Sequence, residues 1–193
     1  MSGFIIEKKR AIFLDRDGVI NINHGYVYDI DSFEFIDGIF EVARAAHASG
    51  YKLIVITNQS GIGRGYYSEQ QFHQLTEWMC NEFLNVGAPI EKVYFSPFHP
   101  TAGLGAYKKD DVSRKPHPGM IRQAQQDKNL NLRSSILIGD KASDIQAGIA
   151  AGVGLNILFG QKRPPELNGL SYQVIKNHRE LLHFMKSSSL MLD

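Results

Sequence analysis

Four short stretches of the sequence carry residue types that could do chemistry together. They are Asp15-Arg16-Asp17-Gly18, Thr57-Asn58-Gln59-Ser60-Gly61, Arg114-Lys115 and Asp140-Lys141, with Asp144 one helical turn beyond. Crowded carboxylates repel one another unless a cation sits among them, and an oxygen-rich site suits Mg²⁺. A hydroxyl and a lysine beside such an ion form a cradle for a tetrahedral oxyanion. Metal, cationic clamp and in-line nucleophile are the parts of phosphoryl transfer. One carboxylate of the Asp15/Asp17 pair could attack phosphorus, and the other could protonate the departing oxygen and then activate water. Residues two apart in extended chain point the same way, and Gly18 gives the backbone freedom to turn. Monoester hydrolysis needs its barrier lowered by roughly 20 kcal/mol or more, so electrostatics must carry most of the effect.

Each stretch also has a plainer reading. An isolated Asp-x-Asp is usually a solvated turn, Thr57-Asn58 suits turn chemistry, and Asp140 and Asp144 favour a helix N-terminus. Those readings weaken if all four stretches lie at strand ends of one sheet, where ligands of open α/β folds collect.

The surrounding pattern supplies such a sheet. Apolar runs at residues 11–14, 53–56, 93–95, 135–138 and 155–158 are bounded by turn residues, as in strands buried on both faces. Helical spacing appears at residues 39–47, 118–127 and 142–151. It appears again after a capping box at Ser68 and Gln71, where Phe72, Leu75, Met79, Phe83 and Val86 recur. Strand and helix in alternation predict an α/β fold, a doubly wound parallel sheet with helices on both faces.

Two loops are long, residues 21–37 and 96–117. The first is rich in aromatics and is expected to form a packed flap. Gly61 to Gly65 reads as a mobile turn, because Tyr66 occupies the third glycine position of a dinucleotide fingerprint. Cys80 beside Trp78 reads as helix packing. His47, His73 and His178 read as residues without catalytic partners, and the Ser187-Ser188-Ser189 tail as frayed.

The 193 residues are 43% hydrophobic and carry 21 basic and 20 acidic side chains, for a net charge of +1. Residues 1–193 are expected to form one domain. The charge balance gives no support to a nucleic-acid-coating or membrane-surface protein. A single cysteine excludes an internal disulfide. Residues 1–10 lack the order of a signal peptide and no apolar run spans a bilayer, so a cytoplasmic, monomeric protein acting on a small molecule is expected.

Taken together, Asp15-Arg16-Asp17-Gly18-Val19-Ile20-Asn21, Thr57-Asn58-Gln59-Ser60-Gly61, Arg114-Lys115-Pro116 and Gly139-Asp140-Lys141 resemble the four motifs of the haloacid dehalogenase superfamily. His24-Gly25-Tyr26-Val27, the stretch Phe33 to Gly38 and the stretch Arg114 to Met120 resemble its D-glycero-D-manno-heptose 1,7-bisphosphate 7-phosphatase branch, whose relatives are the histidinol-phosphate phosphatases.

The resemblance implies a Rossmann-like phosphatase without a large cap domain. Asp15 would be the nucleophile and Asp17 the general acid and base. Mg²⁺ would be held by the Asp15 carboxylate, the Asp17 main-chain carbonyl and Asp140. Thr57 and Lys115 would stabilise the phosphoryl group. Asn23, His24, Gly25, Tyr26, Asn58, Gln59, Ser60, Arg114 and Lys141 would bind the sugar phosphate. The family commonly carries a structural zinc in the loop before Arg114, but the aligned positions here are Ser96, Phe98, Asp111 and Ser113. No zinc is expected, and the loop is expected to be held by Phe98, Leu104 and Tyr107 or to be mobile. The rival reading from another class is a phosphoryl-accepting receiver-like module; a catalytically silent binding protein is the third.

Overall fold

The computed structural model describes residues 8–189, so most of the segment read for a signal peptide lies outside it. Six strands form one parallel sheet: β1 (Ala11–Leu14), β2 (Lys52–Asn58), β3 (Ile90–Ser96), β4 (Ile136–Gly139), β5 (Leu155–Phe159) and β6 (Gln173–Ile175). Their order is β3-β2-β1-β4-β5-β6. The order reverses between β1 and β4, which opens a crevice at their carboxyl ends.

Alternate residues of each strand feed two cores. Ile12, Leu14, Leu53, Val55, Ile136 and Ile138 face α1 (Ile39–Ala48), α3 (Glu69–Asn85) and α6 (Leu181–Ser189). Ala11, Phe13, Ile54, Ile56, Leu137 and Leu158 face α4 (Gly119–Lys128) and α5 (Ala142–Ala151). The expected doubly wound architecture is therefore present. Helix α3 starts at the expected capping box, with Gln71 N donating to Ser68 Oγ at 3.1 Å and Ser68 N to Gln71 Oε1 at 2.9 Å. It buries Phe72, Leu75, Met79 and Phe83, each worth about 1.5–3 kcal/mol.

Several local expectations change. Residues 60–63 are a short helix, α2 (Ser60–Gly63), rather than a mobile turn. A side chain at Gly61 would collide with the Tyr67 and Tyr26 rings, and one at Gly63 with the Pro97 carbonyl, so glycine here permits close packing. The expected frayed tail, Ser187 to Ser189, lies within α6. Strand β6 was not foreseen, because its three residues are too few for a periodic signal.

The flap of residues 21–37 is packed as expected. Val27 and Phe33 are buried, and Phe33, Phe35, Phe40, Trp78 and Phe83 interlock with ring centroids 4.6–6.1 Å apart.

His178 is fully buried behind this flap. It stacks on Phe159 and its Nε2 donates to the Val19 carbonyl at 2.7 Å. Burial, outweighing that hydrogen bond, lowers its pKa from 6.5 to about 4. The neutral ring is the one the fold accepts, so its contribution is complete above pH 6.5. It is lost as the pH falls toward 4, a change of about 3 kcal/mol. Urea titrations should show wild type losing that much more stability than His178→Gln between pH 7 and 4. Parallel losses in the two proteins would contradict the assignment.

Candidate active site

The four stretches meet at the crevice. Asp15 follows β1, Thr57 lies near the end of β2, and Asp140 follows β4. Lys115 comes from the long loop and is buried between acids: its Nζ lies 2.9 Å from Asp15 Oδ1 and 2.6 Å from Asp144 Oδ1, and donates to the Ile56 carbonyl at 2.8 Å. Both carboxylates raise the lysine pKa beyond what burial takes away, so it is a fixed cation.

Carboxylate oxygens of Asp15, Asp140 and Asp144 lie within 4.8 Å of one another. Burial, with the charges of Asp144 and Asp140 adding to it and Lys115 opposing it, pushes Asp15 up to about 7. One buried lysine thus leaves the cluster short of positive charge. Asp140 Oδ1 is buried without a hydrogen bond, its cationic neighbour Lys141 Nζ standing 3.7 Å away. Hard oxygen donors, excess negative charge and an orphaned acceptor fit a divalent cation such as Mg²⁺. Gly18, at φ 94°, is required here because any side chain would strike Asp140. A side chain at Gly139 would likewise strike Asp144.

The Asp17 carboxylate stands apart from this trio. It accepts from Arg16 Nη2 at 2.9 Å, Asn21 Nδ2 at 3.1 Å and Gln59 Nε2 at 3.0 Å. Gln59 also donates to Thr57 Oγ1 at 2.7 Å and accepts from the Tyr67 hydroxyl. The Thr57 hydroxyl hydrogen therefore remains available to another acceptor. Asn58 brackets the Lys115 backbone, accepting from its N–H and donating to its carbonyl, both at 3.0 Å.

A pocket of about 480 Å³ opens over these groups. Asp17, Lys115, Asn23, Gly25, Tyr26, Asn58, Gln59, Ser60, Arg114 and Lys141 line it. His24 does not. Its side chain is half exposed and turns toward Glu34 at 3.6 Å, because the flap bends at Gly25 and Tyr26, both at positive φ. Tyr26, at φ 53°, is a strained residue of the kind found at ligand sites. A larger, mostly apolar groove of about 640 Å³ lies along edge strand β3, and its Cys80 has a thiol pushed up by burial, consistent with packing.

The loop before Arg114 is held mainly by polar groups. Ser113 Oγ bonds Ser96 Oγ at 3.0 Å and Asp111 Oδ1 at 2.6 Å, Lys109 pairs with Asp111 at 2.8 Å, and Lys109 Nζ sits 4.0 Å over the Phe98 ring. Phe98 and Tyr107 also touch, with centroids 6.0 Å apart, but the Leu104 side chain is exposed and contributes no buried packing. Asp144 joins the carboxylate set that its spacing suggests, but its hold on Lys115 is a part the spacing did not reveal. It reads as a helix-start acid, and its side chain does accept from Lys141 N at 2.9 Å, but its other oxygen holds Lys115.

The model of the polynucleotide kinase 3 phosphatase family matches residues 12–174. A D-glycero-alpha-D-manno-heptose-1,7-bisphosphate 7-phosphatase of Burkholderia mallei is 53% identical over 178 residues, covering 92% of this chain and 94% of its own. A D-glycero-beta-D-manno-heptose-1,7-bisphosphate 7-phosphatase of Vibrio cholerae is 44% identical over 179 residues, covering 92% and 96%. Among solved structures, the D,D-heptose 1,7-bisphosphate phosphatase of B. bronchiseptica, complexed with magnesium and phosphate, shares the fold. Its TM-score is 0.79 at 23% identity, over 92% of this chain and 98% of that one.

Sheet order, strand-end acids and these relatives together define a phosphatase of the haloacid dehalogenase type. Within that class the chain belongs to the heptose-1,7-bisphosphate 7-phosphatase family. The receiver-like and silent-binding readings are set aside. Among the described residues, no helix is long and apolar enough to cross a membrane.

Proposed function

We propose that the protein removes the 7-phosphate of D-glycero-D-manno-heptose 1,7-bisphosphate through an aspartyl-phosphate on Asp15. The reaction would serve nucleotide-activated heptose synthesis for lipopolysaccharide, in the cytoplasm. The observation that carries the mechanism is the Asp15 carboxylate, fixed by Lys115 inside a three-carboxylate cluster at the switch point. The relatives supply the substrate, and the α-anomer is favoured because the Burkholderia mallei relative acts on it.

Asp15, Asp140 and Asp144 offer the carboxylate oxygens that would hold Mg²⁺, and the family resemblance adds the Asp17 main-chain carbonyl as a donor. When bound, the ion neutralises phosphoryl oxygens and keeps Asp15 ionised. An Asp15 oxygen attacks phosphorus, and the bond from phosphorus to the sugar oxygen breaks. Asp17 gives its proton to that oxygen. Asp17 then takes a proton from the water that attacks phosphorus, and phosphate leaves with Asp15 regenerated. Thr57 and Lys115 donate to the phosphoryl oxygens throughout. Gln59 orients both Asp17 and Thr57.

No zinc is proposed, since Ser96, Asp111 and Ser113 are bonded to one another and Phe98 offers no donor. The protein is taken to act as a monomer without nucleic-acid or membrane partners. The family-model description would allow a nucleic-acid 3′-phosphate instead, but a net charge of +1 is poor support for backbone binding.

A phosphate-release screen tests the substrate. It should include both heptose bisphosphate anomers, histidinol phosphate and a 3′-phosphorylated oligonucleotide, with Mg²⁺ present. The heptose bisphosphates should give the highest kcat/KM. Preference for histidinol phosphate or the oligonucleotide would overturn the reading.

A further inference from the structure

We propose that Arg16 is a positioning residue for the reaction: its buried side chain fixes the Asp17 carboxylate in the orientation from which the proton is passed, without itself meeting the substrate. This rests on the proposed acid and base role of Asp17. Arg16 is 1% exposed and is not among the residues that line the pocket. Its Nη2 donates to both Asp17 oxygens at 2.9 Å and to the Val27 carbonyl at 2.6 Å. One nitrogen thus ties Asp17 to the buried part of the flap. Asn21 and Gln59 hold the same carboxylate at 3.1 and 3.0 Å, but both are neutral amides. Arg16 is the charged donor, and charge-assisted bonds are the stronger ones.

The turn after β1 does not need a guanidinium. It is closed by main-chain groups: Ile20 N donates to the Arg16 carbonyl at 2.8 Å and Asn21 N at 3.2 Å, while Arg16 N donates to Asp15 Oδ1 at 2.8 Å. A residue of any type with a main-chain N–H could make these bonds. The side chain, by contrast, has Nε and Nη1 buried with no hydrogen-bond partner among the described residues. Its guanidinium carbon lies 5.8 Å from the centroid of the Phe72 ring, an apolar neighbour. A buried cation with unused donors costs stability that an apolar side chain of similar length would not lose. What the guanidinium gives in return is a fixed carboxylate, and local rules are broken in this way where function requires it. A proton donor displaced by about 1 Å can lose about 10²-fold in rate.

The test measures Tm and kcat/KM for wild type, Arg16→Met, Arg16→Lys and Asp17→Asn, with Mg²⁺ present. Two substrates are compared, heptose 1,7-bisphosphate and 4-nitrophenyl phosphate. The sugar oxygen needs a proton to depart and nitrophenolate does not, and kcat/KM reads the step in which that group leaves. Arg16→Met should keep or raise the wild-type Tm, lose about 10²-fold on the heptose substrate, and lose less than about 5-fold on the aryl one. Arg16→Lys should lie between Arg16→Met and wild type, and carries the test if methionine disturbs the fold. Equal losses on both substrates, or no loss on either, would overturn the positioning role. If Asp17→Asn shows the selective loss and the Arg16 variants do not, only the role of Arg16 falls. If Asp17→Asn cleaves the heptose substrate like wild type, the acid and base reading falls and the role of Arg16 with it.

Discussion

Asp15→Asn should abolish phosphate release, by at least about 10⁴-fold in kcat, and leave the fold intact. Asparagine has nearly the shape of aspartate, so Arg16 N–H keeps an acceptor at the position it now bonds at 2.8 Å. What disappears is the anionic oxygen that attacks phosphorus, and neither Asp144 nor Asp17 is free to replace it. Asp144 is tied to Lys115 and to Lys141 N, and Asp17 is tied to Arg16, Asn21 and Gln59. Loss of nucleophilic catalysis removes the intermediate that divides the reaction into two easier steps. Circular dichroism should match wild type, while steady-state turnover falls to background. Retained turnover in a correctly folded Asp15→Asn protein would show that another group attacks phosphorus.

Lys115→Met should damage stability and catalysis together. The ammonium is buried and satisfies Asp15, Asp144 and the Ile56 carbonyl at once. Removing it strands two buried carboxylates, which costs about 3–5 kcal/mol and lowers Tm by roughly 10 °C. It also deletes a donor to the phosphoryl group, worth about 10²–10³ in kcat. Adding Asp144→Asn should restore part of the stability, because one stranded charge is gone, and none of the activity. Calorimetry and turnover on the two variants separate the effects. A Lys115→Met protein as stable as wild type would mean that the buried pairs do not hold the site together.

The site was legible in the sequence wherever chemistry coincided with a strand end. Asp15, Thr57 and Asp140 each follow or close an apolar run, and a parallel sheet brings such ends together whatever the distance along the chain. Lys115 was legible only through its motif, because it lies in a 22-residue connection. Its position is set by Asn58, 57 residues away, and by Asp144, and neither bond leaves a periodic trace. His24 was misplaced because neighbouring residues in a bent loop do not share a direction, and the positive φ of Gly25 and Tyr26 turns the chain there. The loop before Arg114 was read for apolar packing, while Ser96, Asp111 and Ser113 hold it with short hydrogen bonds between residues as much as 17 positions apart.

The most direct measurement traps the covalent intermediate. Wild type with Mg²⁺ and heptose 1,7-bisphosphate would be quenched in acid within one turnover, reduced with borohydride and mapped by mass spectrometry. A phosphoryl group on Asp15, read as homoserine at that position alone, is the predicted result. Reduction at another aspartate, or phosphate released at full rate with no modification at residue 15, would contradict the account.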